Sequence, residues 1–197
     1  MINHKAKIEV TTFQKAKTDD DLSGDSYFYI ENEQFFLCAL ADGLGSGSVA
    51  KESSKLAIDI VKKYMNEPLD IILRKCNEAL IGDKRGTVIG LLKIQFNQGV
   101  YSYTTVGNVR IMIFSQNDFK RNIPVCGYLP TIRNVYTFHE HQLTPNTTFF
   151  IYSDGVNEHM LKSVFNEWHS ISETINFLYE SSSHDDATMI ALRYNGY

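Results

Sequence analysis

The amino-acid sequence predicts an α+β fold in which helices cover antiparallel β-sheets. Three observations favour this fold. Short runs of β-forming residues recur along the chain, separated by polar or glycine-containing turns. Two separate regions carry apolar residues at helical spacing. No low-complexity linker or internal repeat interrupts the 197 residues, so residues 1–197 are predicted to form a single domain.

The first half of the chain predicts a β-hairpin followed by two helices. Residues 27–30 and 35–41 are β-forming runs on either side of a polar turn, which is the pattern of paired strands. Between residues 49 and 64, apolar and small side chains recur at helical spacing, and Lys51 is assigned to the opposite side. Pro68 suits the first position of a helix, so the sequence predicts that a second helix begins there.

The second half of the chain predicts further strands. Residues 87–96, 100–106 and 109–114 are rich in β-forming residues and are separated by glycine-containing turns, which predicts a β-meander. A weaker strand is predicted around residues 135–138. An apolar run at residues 148–152 predicts another strand.

Two more helices precede the last strand. Apolar residues at helical spacing predict one helix over residues 161–168 and another over residues 171–179. Ser170 and Glu173 have the spacing of a capping box at the start of the second of these helices. A final strand is predicted over residues 187–192.

Charge and composition narrow the classes of function. The formal net charge of −4 and the scattered basic residues argue against a nucleic-acid binder. No apolar run approaches the roughly 18 residues of a membrane span, and the first residues lack the apolar core of a signal peptide. Cys38, Cys76 and Cys126 are too widely spaced for a disulfide framework or a zinc knuckle. We therefore expect a cytoplasmic protein that contacts neither membrane nor nucleic acid.

Four acidic positions lie at the ends of predicted strands. An apolar strand ends in Asp-Gly at Asp42 and again at Asp154. Asp25 and Asp185 each lie just before a strand. Taken singly, an Asp-Gly pair is a common turn. The repetition of the pattern at strand ends instead indicates that a rigid scaffold directs these side chains into one pocket.

Gathering carboxylates in one pocket requires cations. Two carboxylates about 4 Å apart repel by roughly 1 kcal/mol in water and several times more near a protein surface. Carboxylate oxygens suit Mg²⁺ or Mn²⁺ better than zinc. Gly43, which lacks a Cβ, would allow its own backbone carbonyl to approach a metal ion or a bound water.

Six short motifs follow one another along almost the whole chain. They are Gly24-Asp25, Asp42-Gly43-Leu44-Gly45, Gly86-Thr87, Gly107-Asn108, Ser153-Asp154-Gly155 and Asp185-Asp186-Ala187-Thr188. This order resembles the PPM (protein phosphatase 2C-like) family of metal-dependent serine/threonine phosphatases. The short length and the segments 41–48, 106–110 and 126–129 are most similar to its bacterial sporulation and stress-response branch. The resemblance implies an αββα sandwich, in which two antiparallel β-sheets are flanked by helix pairs.

The resemblance also implies a centre with two divalent cations, Mn²⁺ or Mg²⁺. Asp42 would bridge the cations, and the Gly43 carbonyl would help to hold one of them. Asp154 and Asp185 would complete the other site, and Asp25 would bind directly or through water. A water shared by two cations becomes a nucleophile near neutral pH and attacks phosphorus in line, without a phosphoenzyme. Asp42, Asp154 and Asp185 are therefore the predicted catalytic set.

Some positions depart from the family pattern. Leu44 stands where many relatives carry a histidine that is a candidate proton donor. Asn108 stands where many relatives carry an aspartate tied to a third metal ion. No arginine precedes the first motif, although some relatives use one to bind phosphate. Lys84, Arg85 and Arg110 are candidates for binding phosphate or substrate in its place, and as surface charges they also have an ordinary structural explanation.

For a substrate, the resemblance implies a phosphoserine or phosphothreonine protein. The stress-response branch implies phosphorylated STAS-domain scaffold proteins of the stressosome as substrates, so that the enzyme would damp the general stress response. We also expect the enzyme to be a monomer. Two alternatives remain open from the sequence. One is a non-catalytic, phosphatase-like module that docks on a stress-signalling partner. The other is a metal-dependent nuclease, which shares the carboxylates but is disfavoured by the negative charge.

Overall fold

The structure is a computed structural model that describes residues 6–17, 22–115, 118–124, 126–131, 136–161, 165, 170–181 and 185–196. The strands are β1 (Ile8–Lys15), β2 (Asp25–Glu31), β3 (Phe35–Gly43), β4 (Thr87–Gln95), β5 (Val100–Val106), β6 (Arg110–Ser115), β7 (Asp118–Arg121), β8 (His139–Gln142), β9 (Thr148–Tyr152) and β10 (Ala187–Tyr194). The helices are α1 (Gly47–Lys63), α2 (Leu69–Ala79) and α3 (Ile171–Ser181). Residues 158–161 are also helical.

The strands form two five-stranded antiparallel sheets that pack face to face. Sheet A has the order β1-β10-β9-β6-β7, and sheet B has the order β2-β3-β4-β5-β8. Helices α1 and α2 pack on the outer face of sheet B, while α3 packs on the outer face of sheet A. The predicted α+β class and the αββα layering are confirmed.

The central strand β3 shows why the apolar runs are nearly continuous. Phe36 and Leu40 point between the sheets, into the core that both sheets share. Leu37 and Ala39 point outward and pack against α1 and α2. Because both faces of this strand are covered, both sets of alternating positions must be apolar. Cys38 belongs to the core between the sheets, where burial raises the pKa of its thiol.

The predicted hairpin is confirmed as β2 and β3, which pair along their length. Both helices of the first half are also confirmed, with Pro68 as the residue immediately before α2. In the second half, α3 begins after Ser170, whose Oγ accepts a hydrogen bond of 3.3 Å from the Glu173 backbone N–H. The end of the predicted helix 161–168 lies outside the described residues. None of the described helices is long and apolar enough to cross a membrane.

Three features of strand pairing differ from the prediction. The β-meander is wrong at its third strand, because β5 pairs with β8 in sheet B whereas β6 crosses to sheet A and pairs with β7 and β9. The strand expected around residues 135–138 lies instead at β8, and residues 136–138 are irregular. The edge strands β1 and β7 were not predicted. A glycine turn between two apolar runs does not reveal whether the second strand returns to the same sheet.

Candidate active site

Asp25 and Asp42 face each other across β2 and β3. In β3, Phe36, Cys38 and Leu40 point between the sheets, and the two-residue period of a strand places Asp42 on the same face. Directly paired residues share a face, so Asp25 points the same way and is fully buried. The hairpin therefore brings two carboxylates together at one end of the sandwich.

Asp154, after β9, and Asp185, before β10, lie at the same end of the molecule. Because β9 and β10 are antiparallel neighbours, the residues after β9 meet those before β10. Ser153 and Thr188 close this end, since the Ser153 N–H donates to the Thr188 carbonyl at 3.0 Å and the Thr188 N–H donates to Ser153 Oγ at 2.9 Å. Asp154 and Asp185 lie directly beyond this closed end.

Ser153 links the aspartates of the two sheets. Its hydroxyl donates a hydrogen bond of 2.8 Å to Oδ2 of Asp25 across the sandwich. The Gln14 amide, on β1, donates to the Asp25 carbonyl at 3.0 Å and to Thr188 Oγ1 at 3.1 Å. The position of Asp25 is thus fixed by residues from both sheets.

In both Asp-Gly pairs, close contact with a neighbouring backbone requires the second residue to be glycine. A Cβ on Gly43 would lie 1.9 Å from the carbonyl oxygen of Ala50 in α1, and a Cβ on Gly155 would lie 2.2 Å from the carbonyl oxygen of Asp186. Neither distance is tolerable for a side chain, so only glycine fits. The close approach holds α1 and the segment before β10 against the carboxylates.

Asn108 and Asp186 organise the loops around the aspartates. The Asn108 amide donates a hydrogen bond of 2.6 Å to Oδ2 of Asp154. The two oxygens of Asp186 accept hydrogen bonds from the N–H groups of Gly24, at 2.6 Å, and Lys17, at 2.9 Å. Asp186 therefore fastens the segment before β2 to the segment before β10, a role that its place in the Asp-Asp motif did not reveal.

The aspartates border a cavity of about 230 Å³ at this end of the sandwich. Asp25 lies beneath it, fully buried. Asp185, by contrast, is largely exposed, with Oδ1 3.8 Å from the Lys17 ammonium. The residues lining the cavity are Asp42, Gly43, Leu44, Gly45, Asn108, Asp154, Asp185 and Asp186.

Burial and mutual repulsion raise the pKa values of three of these carboxyls. Burial is the largest cause for Asp42, whose pKa is raised further by the charges of Asp25 and Asp154. The pKa of Asp25 is raised mainly by burial, although hydrogen bonds from Thr188 and Ser153 act in the opposite direction. Burial and the charge of Asp185 raise the pKa of Asp154. A cluster that resists ionisation in this way favours the binding of positive charge.

The donor set fits divalent cations. Oδ1 of Asp25 is buried without a hydrogen-bond partner among the described residues, and such an atom is costly unless something satisfies it. In the described part of the chain, no three His, Cys, Asp or Glu side chains converge tightly enough to hold a metal ion alone. The carboxylates that border the cavity suit Mg²⁺, which commonly binds through one or two carboxylates and keeps several waters.

Lys51 supplies a positive charge that the sequence analysis missed. It was assigned to the solvent-facing side of α1, but this assignment is wrong because its ammonium donates a hydrogen bond to the backbone carbonyl of Asp25. Burial lowers the pKa of this ammonium, whereas the charges of Asp25 and Asp186 raise it. Lys51 lies at the border of the buried face of α1, next to Ala50 and three residues before Ser54, so its long side chain can extend to the Asp25 backbone.

The three basic residues predicted to bind substrate occupy different positions. Arg110 forms an ion pair of 2.9 Å with Glu158. Arg85 lies beside the cavity, since a Cβ on Gly45 would be 2.9 Å from its Nη1. Lys84 is exposed on the same loop as Arg85. Their roles in binding substrate stay predictions.

Comparisons with known proteins agree with this geometry. Residues 33–195 match the family described as stage II sporulation protein E (SpoIIE). The chain is 34% identical over 192 residues to the phosphoserine phosphatase RsbX of Bacillus subtilis (strain 168), a match that covers 96% of each protein. A crystal structure of RsbX in complex with magnesium has a TM-score of 0.88 to this chain, at 34% identity and 94% coverage of each chain.

Two more distant structures share the fold. The PP2C phosphatase domain of SpoIIE from Bacillus subtilis has a TM-score of 0.82 at 18% identity, covering 96% of this chain and 64% of that one. The catalytic domain of the serine/threonine phosphatase PstP, in complex with two manganese ions, has a TM-score of 0.76 at 15% identity, covering 94% and 97%. With its aspartates gathered at one end of an αββα sandwich, this chain belongs to the SpoIIE family of protein serine/threonine phosphatases.

Proposed function

We propose that this enzyme uses divalent cations, Mn²⁺ or Mg²⁺, to hydrolyse phosphoserine or phosphothreonine in a stress-signalling protein partner. The observation that carries the proposal is the convergence of carboxylates from both sheets on one cavity, with a buried Asp25 oxygen that lacks a hydrogen-bond partner among the described residues. RsbX, a phosphoserine phosphatase with 34% identity over nearly the whole chain, supports phosphoserine as the substrate group.

The aspartates have distinct places in the proposed centre. Asp42 lines the cavity opposite Asp25 and would contact both cations, with the Gly43 carbonyl beside it. Asp154 and Asp185 would complete the second cation site from sheet A. When bound, the cations would make a water molecule nucleophilic at neutral pH and offset the negative charge of the phosphoryl oxygens.

Neighbouring residues hold the carboxylates in place. Ser153 and Asn108 each donate a hydrogen bond to one carboxylate oxygen, of Asp25 and Asp154 respectively, which limits how these side chains can rotate. Lys51 keeps a positive charge beside Asp25. Leu44 lines the cavity but offers no proton, and we expect the departing serine or threonine oxygen to take its proton from water.

The test is release of phosphate from a phosphoserine STAS-domain protein, with and without Mn²⁺. Asp42→Asn keeps the shape of the side chain and removes its charge, so we expect activity to fall by at least about 100-fold. Asp59→Asn is the matched control, because Asp59 is an exposed residue of α1 that pairs with Lys62 at 3.5 Å and does not line the cavity. Equal rates for wild type and Asp42→Asn would reject the proposal. If the chain bound the phosphoserine STAS-domain protein equally with and without Mn²⁺ and released no phosphate, it would be a docking module instead.

The stressosome scaffold, the cytoplasmic location and the monomeric state belong to the same proposal. RsbX supports a stress-signalling partner through its similarity over 96% of both proteins. Incubating the purified enzyme with several phosphorylated candidate scaffolds would identify the partner. Light scattering during gel filtration would test the monomer, for which a mass of 22.5 kDa is expected.

A further inference from the structure

A surface beside the aspartate cavity combines exposed apolar and basic side chains. Ile81 is 71% exposed and Tyr128 is 50% exposed, and Lys84 and Arg85 are exposed on the loop that follows Ile81. We call these four residues the docking patch. Large apolar side chains that remain exposed next to a catalytic cavity are typical of contact surfaces.

The docking patch is continuous with the cavity. Gly45 lines the cavity, and Arg85 Nη1 would lie only 2.9 Å from a Cβ at that glycine. The Tyr128 ring packs at the other side of the same loop, since its Cδ2 would lie 2.9 Å from a Cβ at Gly86. Arg85 therefore lies beside the cavity, and Tyr128 lies against Gly86, the next residue of the same loop.

The patch is held in place by hydrogen bonds. Oδ1 of Asp83 accepts hydrogen bonds from Ser53 Oγ at 2.7 Å, the Arg85 N–H at 3.0 Å and the Gly86 N–H at 2.7 Å. The segment that carries Tyr128 is joined to β4 by a reciprocal pair of hydrogen bonds, of 2.9 and 2.8 Å, between Thr87 and Leu129. A surface that is ordered before binding loses little conformational entropy when a partner docks.

The charge of the patch indicates the chemistry of its partner. Among the described residues, neither Lys84 nor Arg85 lies within ion-pair distance of a carboxylate, although Arg110, Arg121 and other basic residues do. Lys84 and Arg85 therefore offer two cationic groups that can pair with acidic groups of a partner.

We propose that the docking patch binds the segment that flanks the phosphoserine of the protein substrate, and that this segment carries carboxylates and an apolar side chain. This inference rests on the proposed function. An extended chain spans about 3.3 Å per residue. Because Arg85 lies against the cavity wall, the carboxylates that it binds belong within about three residues of the phosphoserine.

The test compares two phosphoserine peptides of equal length in the presence of Mn²⁺. One has Glu and Leu on both sides of the phosphoserine, and the other has Lys and Ser. We expect kcat/KM to be about tenfold higher for the acidic, apolar peptide, mainly through a lower KM. Hydrolysis of p-nitrophenyl phosphate, which has no flanking segment, reports the state of the aspartate site separately.

The variants Ile81→Ser, Tyr128→Ser and Lys84→Glu are each expected to lower the ratio of acidic-peptide to p-nitrophenyl phosphate kcat/KM by about fivefold or more. Phe138→Ser is the control, because Phe138 is 40% exposed and borders a different cavity, with Lys93 and Glu140. Equal kcat/KM for the two peptides, or unchanged ratios in the three patch variants, would overturn the docking proposal. Failure of the wild type to hydrolyse any of the three substrates would instead reject the proposed function.

Discussion

Replacing Asp42 by asparagine is expected to stabilise the cation-free protein and to remove its response to Mn²⁺. Asp42 and Asp25 are directly paired residues of β2 and β3, and their carboxylates face the same space between the sheets. When cations are removed, the Lys51 ammonium and the hydrogen bonds to Asp25 offset only part of the repulsion between the two carboxylates. The substitution keeps the shape of the side chain and removes one of the repelling charges.

The size of the effect follows from the separation of the two side chains. Directly opposed residues of antiparallel strands have Cβ atoms about 5 Å apart. Two unit charges at about 5 Å repel by about 3 kcal/mol at an effective dielectric constant near 20. Partial protonation of the carboxyls already relieves part of this repulsion, so we expect a gain of about 2 kcal/mol, which is about 4–8 °C in Tm for a domain of this size.

The repulsion also has a pH signature. The pKa values of Asp25 and Asp42 are raised above 3.8 in the folded protein. Between the unfolded-state pKa and the folded-state pKa of each carboxyl, the folded state therefore binds more protons than the unfolded state. The contribution of these two carboxyls to the stability of the cation-free wild type is therefore greatest in acid and is lost as pH rises through their raised pKa values. Bound Mn²⁺ offsets the repulsion, so the increase in Tm on adding Mn²⁺ is expected to grow with pH.

The assay is thermal unfolding followed by circular dichroism, in EDTA and in Mn²⁺, across mildly acidic to mildly alkaline pH. Mn²⁺ at about 100 times its Kd would stabilise the wild type by about 2.7 kcal/mol, and Asp42→Asn would lose most of this increment. Asp59→Asn should behave as wild type, because its exposed pair with Lys62 contributes little. If Asp42→Asn were less stable than Asp59→Asn in EDTA, the reasoning from repulsion would be refuted.

Three further substitutions probe the framework of the site. Ser153→Ala removes the donor to Oδ2 of buried Asp25 and should cost about 1–3 kcal/mol in urea unfolding; no loss would mean that the link between the sheets is unimportant. Gly155→Ala places a Cβ 2.2 Å from the Asp186 carbonyl oxygen, so we expect a loss of at least about 2 kcal/mol and weaker binding of Mn²⁺ by calorimetry. Lys51→Met should destabilise the cation-free protein by about 1 kcal/mol and enlarge the increase in Tm on adding Mn²⁺, an outcome that an unchanged increment would contradict.

Much of the candidate site could be predicted because its signals are local. A strand that ends in Asp-Gly is visible in the sequence at Asp42 and Asp154, and the structure brings both side chains to one cavity. Asp185 was predicted from its place before the last strand, and it also borders the cavity. The residues that support the carboxylates left no local signal in the sequence. Ser153 and Lys51 contact Asp25 although both are far from it in the chain.

The glycines illustrate the same limit. Gly43 was predicted to matter because its carbonyl could approach a cation. The structure adds a second requirement, the contact with the Ala50 carbonyl of α1, and it gives Gly155 a matching contact with Asp186. A sequence can indicate that a position requires glycine, but only the packed structure identifies the neighbouring group.

The sequence by itself determined the kinds of elements, most of their positions and the acidic residues at strand ends. These follow from hydrophobic periodicity and turn chemistry, which act between residues close in the chain. The tertiary structure alone decided which strands pair, so that β6 leaves β5 for the other sheet, and which side chains meet around Asp25. The physical reason is that every strand edge offers the same backbone hydrogen-bonding groups. Burial of the whole core therefore selects which strands become neighbours. The same choice gathers the carboxylates at this end of the sandwich and makes it a site for cations.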